Sequence, residues 1–292
     1  MIFNSIVLAY RNRPQHLKWF LQSLQISHAH SSNKDIELSM VDLGSDKSSE
    51  KLIEKYLPKE NIKYTYIDYK KTFCKSKALN KAIIQSSGIY ITVLDVDAVM
   101  PPKFLDTIYK IYKEAGDVKL SYRMYMTTNY VRQKLMQSGI SEDFINKNLV
   151  ESKTNWPIAD ERYTKSGVNF KDAKATAKKF VAKEDTLSGM TYLDQAWGNS
   201  QFTIKKDLFF TIGGYDERFI GHGYEDTDFN RRAYSNLNNG GIITDRRSCL
   251  YHIYHDKKAD WANLPNQMKN KRIYELNKRN RKAININRLG LF

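Results

Sequence analysis

The sequence predicts an α/β protein: a mostly parallel sheet flanked by helices, with a helical insertion and a basic, helical C-terminal tail. Three observations carry that prediction. Short apolar, β-branched runs alternate three times with stretches of helical periodicity, and such alternation builds a parallel sheet wrapped by helices. A fourth run, "GIYITVLD" (88–95), lacks the regular in-out pattern of a half-wet strand and reads as covered on both faces. The 292 residues, 41% of them apolar, suit one large core or a core with an insertion.

The elements follow in order. "SIVLAY" (5–10) is the first strand, Pro14 sits where a helix starts, and Leu17, Phe20, Leu21 and Leu24 share one helical face. "IELSMVD" (36–42) precedes a helix bearing Leu52, Ile53 and Tyr56, and "IKYTYI" (62–67) precedes "KSKALNKAII" (75–84). The fourth strand opens with a glycine turn and runs into "DVDAVMPP", after which Phe104, Leu105, Ile108, Ile111 and Tyr112 mark another helix. From 119 to 196 the sequence turns polar and rich in Lys and Tyr, with helical pieces such as 172–183, and is taken as an insertion with no assignable sheet order. Regularity returns at 200–219 with a strand and a short helix ended by Gly213 and Gly214. A helix with Phe229, Ala233 and Leu237 and strands at 241–244 and 249–255 complete the series. The expected divisions are 1–118, 119–196, 197–260 and a tail, 261–292.

Composition narrows the function. No apolar run approaches the roughly 18–20 residues that cross a bilayer. "MIFNSIVLAYRNRP" reads as a strand and not as a signal peptide, so the expected location is the cytoplasm. Cys74 and Cys249 form no CxxC pair and are expected as buried free thiols. The 47 Lys and Arg against 32 Asp and Glu give a formal charge of +15, which calls for an anionic partner. Much of the excess lies in 265–288, where Lys269, Lys271, Arg272, Lys278, Arg279, Arg281, Lys282 and Arg288 face the single acid Glu275. That tail is read either as a solvated helix packed on the domain or as a peripheral contact with the anionic inner face of a membrane.

Ligands of open α/β sheets gather beyond the carboxyl ends of the strands. Asp42, Asp95 and Asp97 all fall at such ends. Asp95 and Asp97 lie two apart, so "DVD" can offer two hard oxygens to one divalent cation, although acids at strand ends are common without one. His252 and His255 could join them if the chain bends between the two, forming a mixed Asp/His site that suits manganese. Against the basic balance, "GYEDTDFNRR" (223–232) gathers Glu225, Asp226 and Asp228. Acids so close either cap a helix, bind a cation or divide roles in proton transfer.

"TVLDVDAVMPP", "WGNSQFTIKKDLFFTIGGYDERFIGHGYEDTDFNRR" and "YHIYHDKK" together resemble nucleotide-sugar glycosyltransferases of the GT-A fold. The likeness is family 2-like, and its C-terminal motif is similar to that of β1,4-galactosyltransferases and of bacterial capsule and lipopolysaccharide transferases. It covers roughly residues 3–115 and 197–260. It implies a nucleotide-sugar-binding half at 1–118 and an acceptor and catalytic half at 197–260. It further implies that Asp97, His252 and His255 ligate Mn2+, with Mg2+ as the substitute, and that Asp95 contacts the donor ribose or the metal shell. Ala9, Tyr10, Arg11 and Asp42 match uridine-holding positions, and Lys77 lies where a basic residue approaches the nucleotide. Asp226 matches the catalytic base and Glu225 a sugar-hydroxyl contact, which leaves Asp228 to cap or brace the helix N-terminus.

The implied function is metal-dependent, inverting transfer of a sugar, galactose or N-acetylgalactosamine, from a UDP-sugar to a hydroxyl of a glycan or lipid-linked glycan in surface polysaccharide biosynthesis. Two positions depart from the family pattern. Leu43 stands where many relatives carry a polar residue, and His222 stands where galactosyltransferases place an aromatic acceptor platform. A sugar-phosphate nucleotidyltransferase would carry a Gly-rich loop after the first strand, and "AYRNRPQHL" has no glycine. A basic nucleic-acid-binding protein is the other reading of the charge, but no such motif occurs and no nucleic acid is expected as a partner.

Overall fold

The first strand, β1 (Asn4–Tyr10), shows how the core is divided. Its side chains alternate: Ile6, Leu8 and Tyr10 enter one apolar cluster, while Val7 and Ala9 enter another on the opposite face. A strand buried on both faces needs apolar residues in both registers, which is why the sequence shows no alternation there. The computed structural model describes residues 2–115, 118–127, 129–150, 190–191, 200–221, 223–237, 242–245, 249–255 and 264–278. The expected helical piece at 172–183, His222 and the tail beyond 278 lie outside them.

The main sheet is ordered β3-β2-β1-β4-β9-β6-β10-β8. β2 (Ile36–Leu43), β3 (Ile62–Ile67) and β4 (Tyr90–Leu94) join β1 in parallel. β9 (Phe202–Lys205) runs antiparallel between β4 and β6 (Lys119–Ser121), and β10 (Ile242–Asp245) pairs parallel with β6 and antiparallel with β8 (Met190–Thr191). The α/β architecture expected from the sequence is therefore present. A second, three-stranded sheet was not foreseen: β5 (Ala98–Val99), β11 (Cys249–His252) and β7 (Arg123–Met126), in the order β5-β11-β7. A strand at 249–255 was expected, but strands of two to four residues carry too little pattern for their pairing to be read from sequence. β6 and β7 also show that the stretch expected as an insertion supplies strands to both sheets.

One face of the main sheet is covered by α1 (Pro14–Ala29) and α4 (Phe104–Ala115), whose Leu17, Phe20, Leu21, Phe104 and Ile108 are fully buried. Pro14 occupies the first turn of α1, where its missing N–H costs nothing. Between them lie α2 (Glu50–Glu54) and, on the opposite face of the sheet, α3 (Lys75–Gln85). α5 (Asn129–Ser138) and α6 (Glu142–Ile145) pack against Trp19, Val99 and Tyr251 in a third cluster. α3's face is shared with α7 (Lys206–Ile212) and α8 (Glu225–Asn236), through Phe209, Ile212, Phe229 and Ala233. Gly213 ends α7 at φ 90°, a left-handed conformation that glycine adopts at little cost. Both cysteines are buried free thiols, as expected.

α9 (Leu264–Asn277) lies against α8 and is tied to it by asparagines. Asn270 accepts from the backbone N–H of Ile220 at 3.2 Å and donates to the carbonyls of Ile220 and Gly223 at 3.0 and 3.1 Å. Asn277 donates to Asp216 Oδ2 and Asp228 Oδ1 at 2.9 and 3.2 Å. Asp228 does not cap α8, as the sequence reading allowed. Its carboxylate accepts from Arg232 Nε at 2.8 Å and from Arg231 Nη2 at 3.4 Å, and both Asp228 and Arg232 are fully buried. One turn inside a helix, an acid finds an arginine four residues on more readily than the first N–H groups.

A buried pair of this kind is costly to break from one side, because the surviving charge stays buried. Asp228→Ala should lower the unfolding free energy by about 3–5 kcal/mol in urea titrations, and Asp228→Ala with Arg232→Met should recover part of the loss.

Candidate active site

Two clusters form where β4 ends, one residue apart in sequence. The first is built by the small sheet. β11 pairs antiparallel with β5, setting Tyr251 opposite Val99 and His252 opposite Ala98, and the N–H of Ile253 donates to the carbonyl of Asp97 at 2.8 Å. Beyond the strand the chain turns, with Tyr254 N–H donating to Thr127 Oγ1 at 2.8 Å. This brings both imidazoles to one carboxylate: His252 Nε2 and His255 Nε2 lie 3.4 and 3.1 Å from Asp97 Oδ2. Arg13 Nη1 reaches the same oxygen at 2.7 Å from the turn before α1. Burial opposes ionisation of Asp97, but His252, His255 and Arg13 outweigh it and hold the carboxyl well below the usual range.

Asp97, His252 and His255 are the one group among the described residues that could hold a metal, with ligand atoms within 4.8 Å of one another. Asp97 Oδ1 is buried and accepts no hydrogen bond, so a ligand oxygen is left over. One carboxylate and two imidazoles suit a divalent ion of intermediate hardness, and the residues fit such a group.

The second cluster joins α3 and α8 across the sheet edge. Lys75, in the first turn of α3, places Nζ 3.0 Å from Asp95 Oδ1 and 3.2 Å from Asp226 Oδ2. The other oxygen of Asp95 accepts from Ser200 Oγ at 2.8 Å and from Gln201 Nε2 at 3.4 Å, because β9 runs antiparallel to β4 and starts beside its end. Glu225 is buried next to them. Glu225 Oε2 and Asp226 Oδ1 are buried acceptors with no hydrogen-bond partner. Acceptors left open in this way fit hydroxyl donors from outside the chain.

The loop that delivers these acids is strained in a specific way. Gly221, Gly223 and Tyr224 have φ of 73°, 104° and 72°, and left-handed backbone is uncommon for a tyrosine. Tyr224 occupies the N-cap position of α8 without a side-chain cap, so the helix start is left open to other acceptors. The positive end of a helix favours ionised acids. Burial wins instead: it pushes Asp226 up to about 7, with Lys75 pulling down and Glu225 and Asp95 pushing further up, and it raises Glu225 as well.

The remaining expected residues are placed less directly. Tyr10 is turned into the core, with its hydroxyl accepting from the N–H of Arg13 at 3.0 Å. Ala9 is half-buried against the opposite cluster, and Arg11 donates to the carbonyl of Lys71 at 2.9 Å. Asp42 is fully buried, accepting from Ser45 N–H at 3.3 Å and Tyr64 Oη at 3.0 Å. Lys75, and not Lys77 two residues on, is the lysine that reaches Asp95 and Asp226. Arg13 and Lys75 were missed from sequence. Their signal was position: each stands beside a strand end, at the start of the following helix.

Residues 5–175 match the model of the family described as glycosyl transferase family 2, and residues 178–256 that of the N-terminal domain of galactosyltransferase. An uncharacterised glycosyltransferase of Methanocaldococcus jannaschii is 28% identical over 119 residues, 40% of each chain. TarS of S. aureus superposes with a TM-score of 0.57 at 17% identity, over 86% of this chain and 60% of the TarS chain. A mannosyltransferase of Pyrobaculum calidifontis, solved with GDP-Man and Mn2+, gives 0.53 at 13% identity, over 88% of this chain and 58% of that one. The chain therefore spans less than two thirds of these relatives' lengths. At such identities the superpositions show the fold, which is GT-A.

The raised Asp226 has a consequence for stability. An unfolded aspartate titrates near 3.8 and the folded one at about 7, so the folded chain holds this proton more tightly. The stabilisation is complete below the unfolded value and lost as pH rises through about 7. Asp226→Asn, which stays neutral, should melt at a higher temperature than the parent near pH 8, with the gap narrowing as pH falls and closing below the unfolded value, read by thermal denaturation across that range.

Proposed function

Because this chain belongs to glycosyl transferase family 2, we propose that it moves a hexosyl group, galactose or N-acetylgalactosamine, from a UDP-sugar to a hydroxyl of a glycan acceptor in surface polysaccharide biosynthesis. The observation that carries this reading is the meeting of two clusters at one strand end, separated only by Val96. Asp97, His252 and His255 stand where a cation could be held, while Lys75 joins Asp95 to Asp226, and Glu225 and Asp226 keep open acceptor oxygens. Complexes of TarS with UDP-GlcNAc and of the mannosyltransferase with GDP-Man and Mn2+ support a nucleotide-sugar donor and a divalent ion.

The residues divide the reaction as follows. Asp97, His252 and His255 would hold manganese or magnesium, which supplies Lewis-acid charge at the leaving diphosphate. Asp95 orients the donor and Glu225 a sugar hydroxyl. Oδ1 of Asp226 takes the proton of the acceptor hydroxyl while its oxygen bonds to the anomeric carbon and the bond from that carbon to the UDP oxygen breaks. Attack and departure on opposite faces invert the centre. A base that titrates near neutrality is well matched to this step. Ala9, Arg11 and Asp42 are assigned to the uridine end, with Tyr10 shaping that end from within the core.

The outer face of α9 supports a peripheral role. Met268 and Leu276 are 73% and 68% exposed, with Lys269, Lys271 and Arg272 exposed beside them, whereas Ile273 is buried. Each basic residue near an anionic bilayer contributes about 1 kcal/mol, which would hold the enzyme at a lipid-linked acceptor. Flotation with vesicles containing anionic lipid should carry the protein up, and neutral vesicles should not; equal binding to both would refute the electrostatic contact.

The catalytic reading is tested with UDP-galactose and UDP-N-acetylgalactosamine in the presence of manganese. Asp226→Asn should lower kcat roughly 10²–10⁴-fold while calorimetry shows UDP and manganese binding as in the parent. Asp97→Ala, or His252→Ala with His255→Ala, should instead abolish manganese-dependent UDP binding. A folded, fully active Asp226→Asn enzyme would end the assignment of the base.

A further inference from the structure

Lys75 stands between the two acids that the proposed reaction uses for different ends. Its ammonium lies 3.0 Å from Asp95 on the donor side and 3.2 Å from Asp226 on the acceptor side, and its side chain is only 14% exposed. It is the first residue of α3, whose Ala78, Leu79, Ala82 and Ile83 are fixed in the core, so the stem starts from a rigid point. The contact to Asp226 is made through Oδ2 alone, and Oδ1 of the same carboxylate is buried without a hydrogen-bond partner.

Resting on the reading of Asp226 as the base, we propose that Lys75 is its positioning residue: by holding Oδ2 it keeps the carboxylate ionised and leaves Oδ1 as the oxygen that accepts the proton. The physical need is plain. Asp95, Glu225 and Asp226 crowd a buried space, and acids so placed repel one another and resist ionising. The charged and titratable groups acting on Asp226 are Lys75, Glu225 and Asp95, with Lys119 and Tyr215 also within electrostatic reach. Lys119 is a weaker source of charge. It is fully buried, donates to Ser121 Oγ at 2.8 Å over the ring of Phe202, and burial pulls it down to about 7. Burial also opposes the charge of Lys75, but Asp226, Asp95 and Glu225 overcome it and hold the ammonium well above its ordinary value. Lys75 is thus the cation present throughout the range in which the base must work.

The second partner adds a link between the two halves of the site. Asp95 and Asp226 compete for one ammonium, so whatever engages Asp95 frees Lys75 to draw closer to Asp226. Filling the donor side thereby makes the base easier to ionise.

The test is a titration of the Asp226 carboxyl carbon by NMR in the full, metal-free chain labelled at aspartate, with the signal assigned by its loss in Asp226→Asn. Lys75→Met should raise the midpoint by about one to three pH units, the usual effect of losing a cation at this range. Lys75→Arg should restore it toward the parent value, and Asp95→Asn should lower it. Should Lys75→Met not fold, Lys75→Gln, which keeps a donor at similar reach, takes its place with the same expected rise. An unmoved midpoint in the neutral variant overturns the inference while leaving the transfer reading intact. A raised midpoint in a chain that transfers no sugar removes the transfer reading and leaves the Lys75–Asp226 pairing in place.

Discussion

The site depends on one backbone contact, the hydrogen bond from Ile253 N–H to the carbonyl of Asp97, together with the short β5–β11 ladder that it extends. Asp97 and the two histidines are far apart in sequence. Among the described residues, β11 pairs with β5 and β7 and with no strand of the main sheet. A two-residue strand that would be negligible elsewhere therefore decides whether one carboxylate meets two imidazoles. It is secured by packing: Val99, Tyr251 and Ile253 are buried with Trp19 in their own apolar cluster, and burial of this kind contributes about 1.5–3 kcal/mol per large side chain.

Electrostatics then separates two kinds of acid within one stretch of α8. Asp228 is paired with Arg232 and bridged to α9, and it serves the fold. Glu225 and Asp226, less than a turn earlier, share a single lysine with Asp95 and keep open oxygens. The basic excess of the whole chain plays no part in this, since the nearest cations are set by elements and not by composition. Repulsion among acids, which would be a fault in a core, stands here beside one shared ammonium and two open acceptor oxygens.

Much of the sheet was legible in the sequence because β1 to β4 are long enough to show an apolar pattern and each is followed by a helix. The second sheet was not, because β5 and β7 are too short to register, and the strand expected at 249–255, which is β11, carries no sign of its partners. Asp95, Asp97, His252, His255, Glu225 and Asp226 could be picked out from residue type and position at strand or helix ends. Asp228 was set apart from its neighbours as a cap or brace, but its arginine partner appears only once the helix turns. Lys75 was hidden by Lys77: both sit in the first turn of the same helix, and which of them faces the sheet edge is a matter of about 200° of rotation. Tyr10, matched by resemblance to a uridine-holding position, lies in a register that sends its ring into the core.

The two asparagines of α9 have a temporal meaning. Asn270 and Asn277 hold the 220–223 turn and the Asp216 and Asp228 carboxylates from outside, yet they are made after every other residue named in the site. Chains emerge from the ribosome N-terminus first and fold as they appear. The main sheet can close while the acidic loop still lacks its fastener. The loop is therefore set last, and a nascent chain carries the scaffold before it carries the acidic cluster.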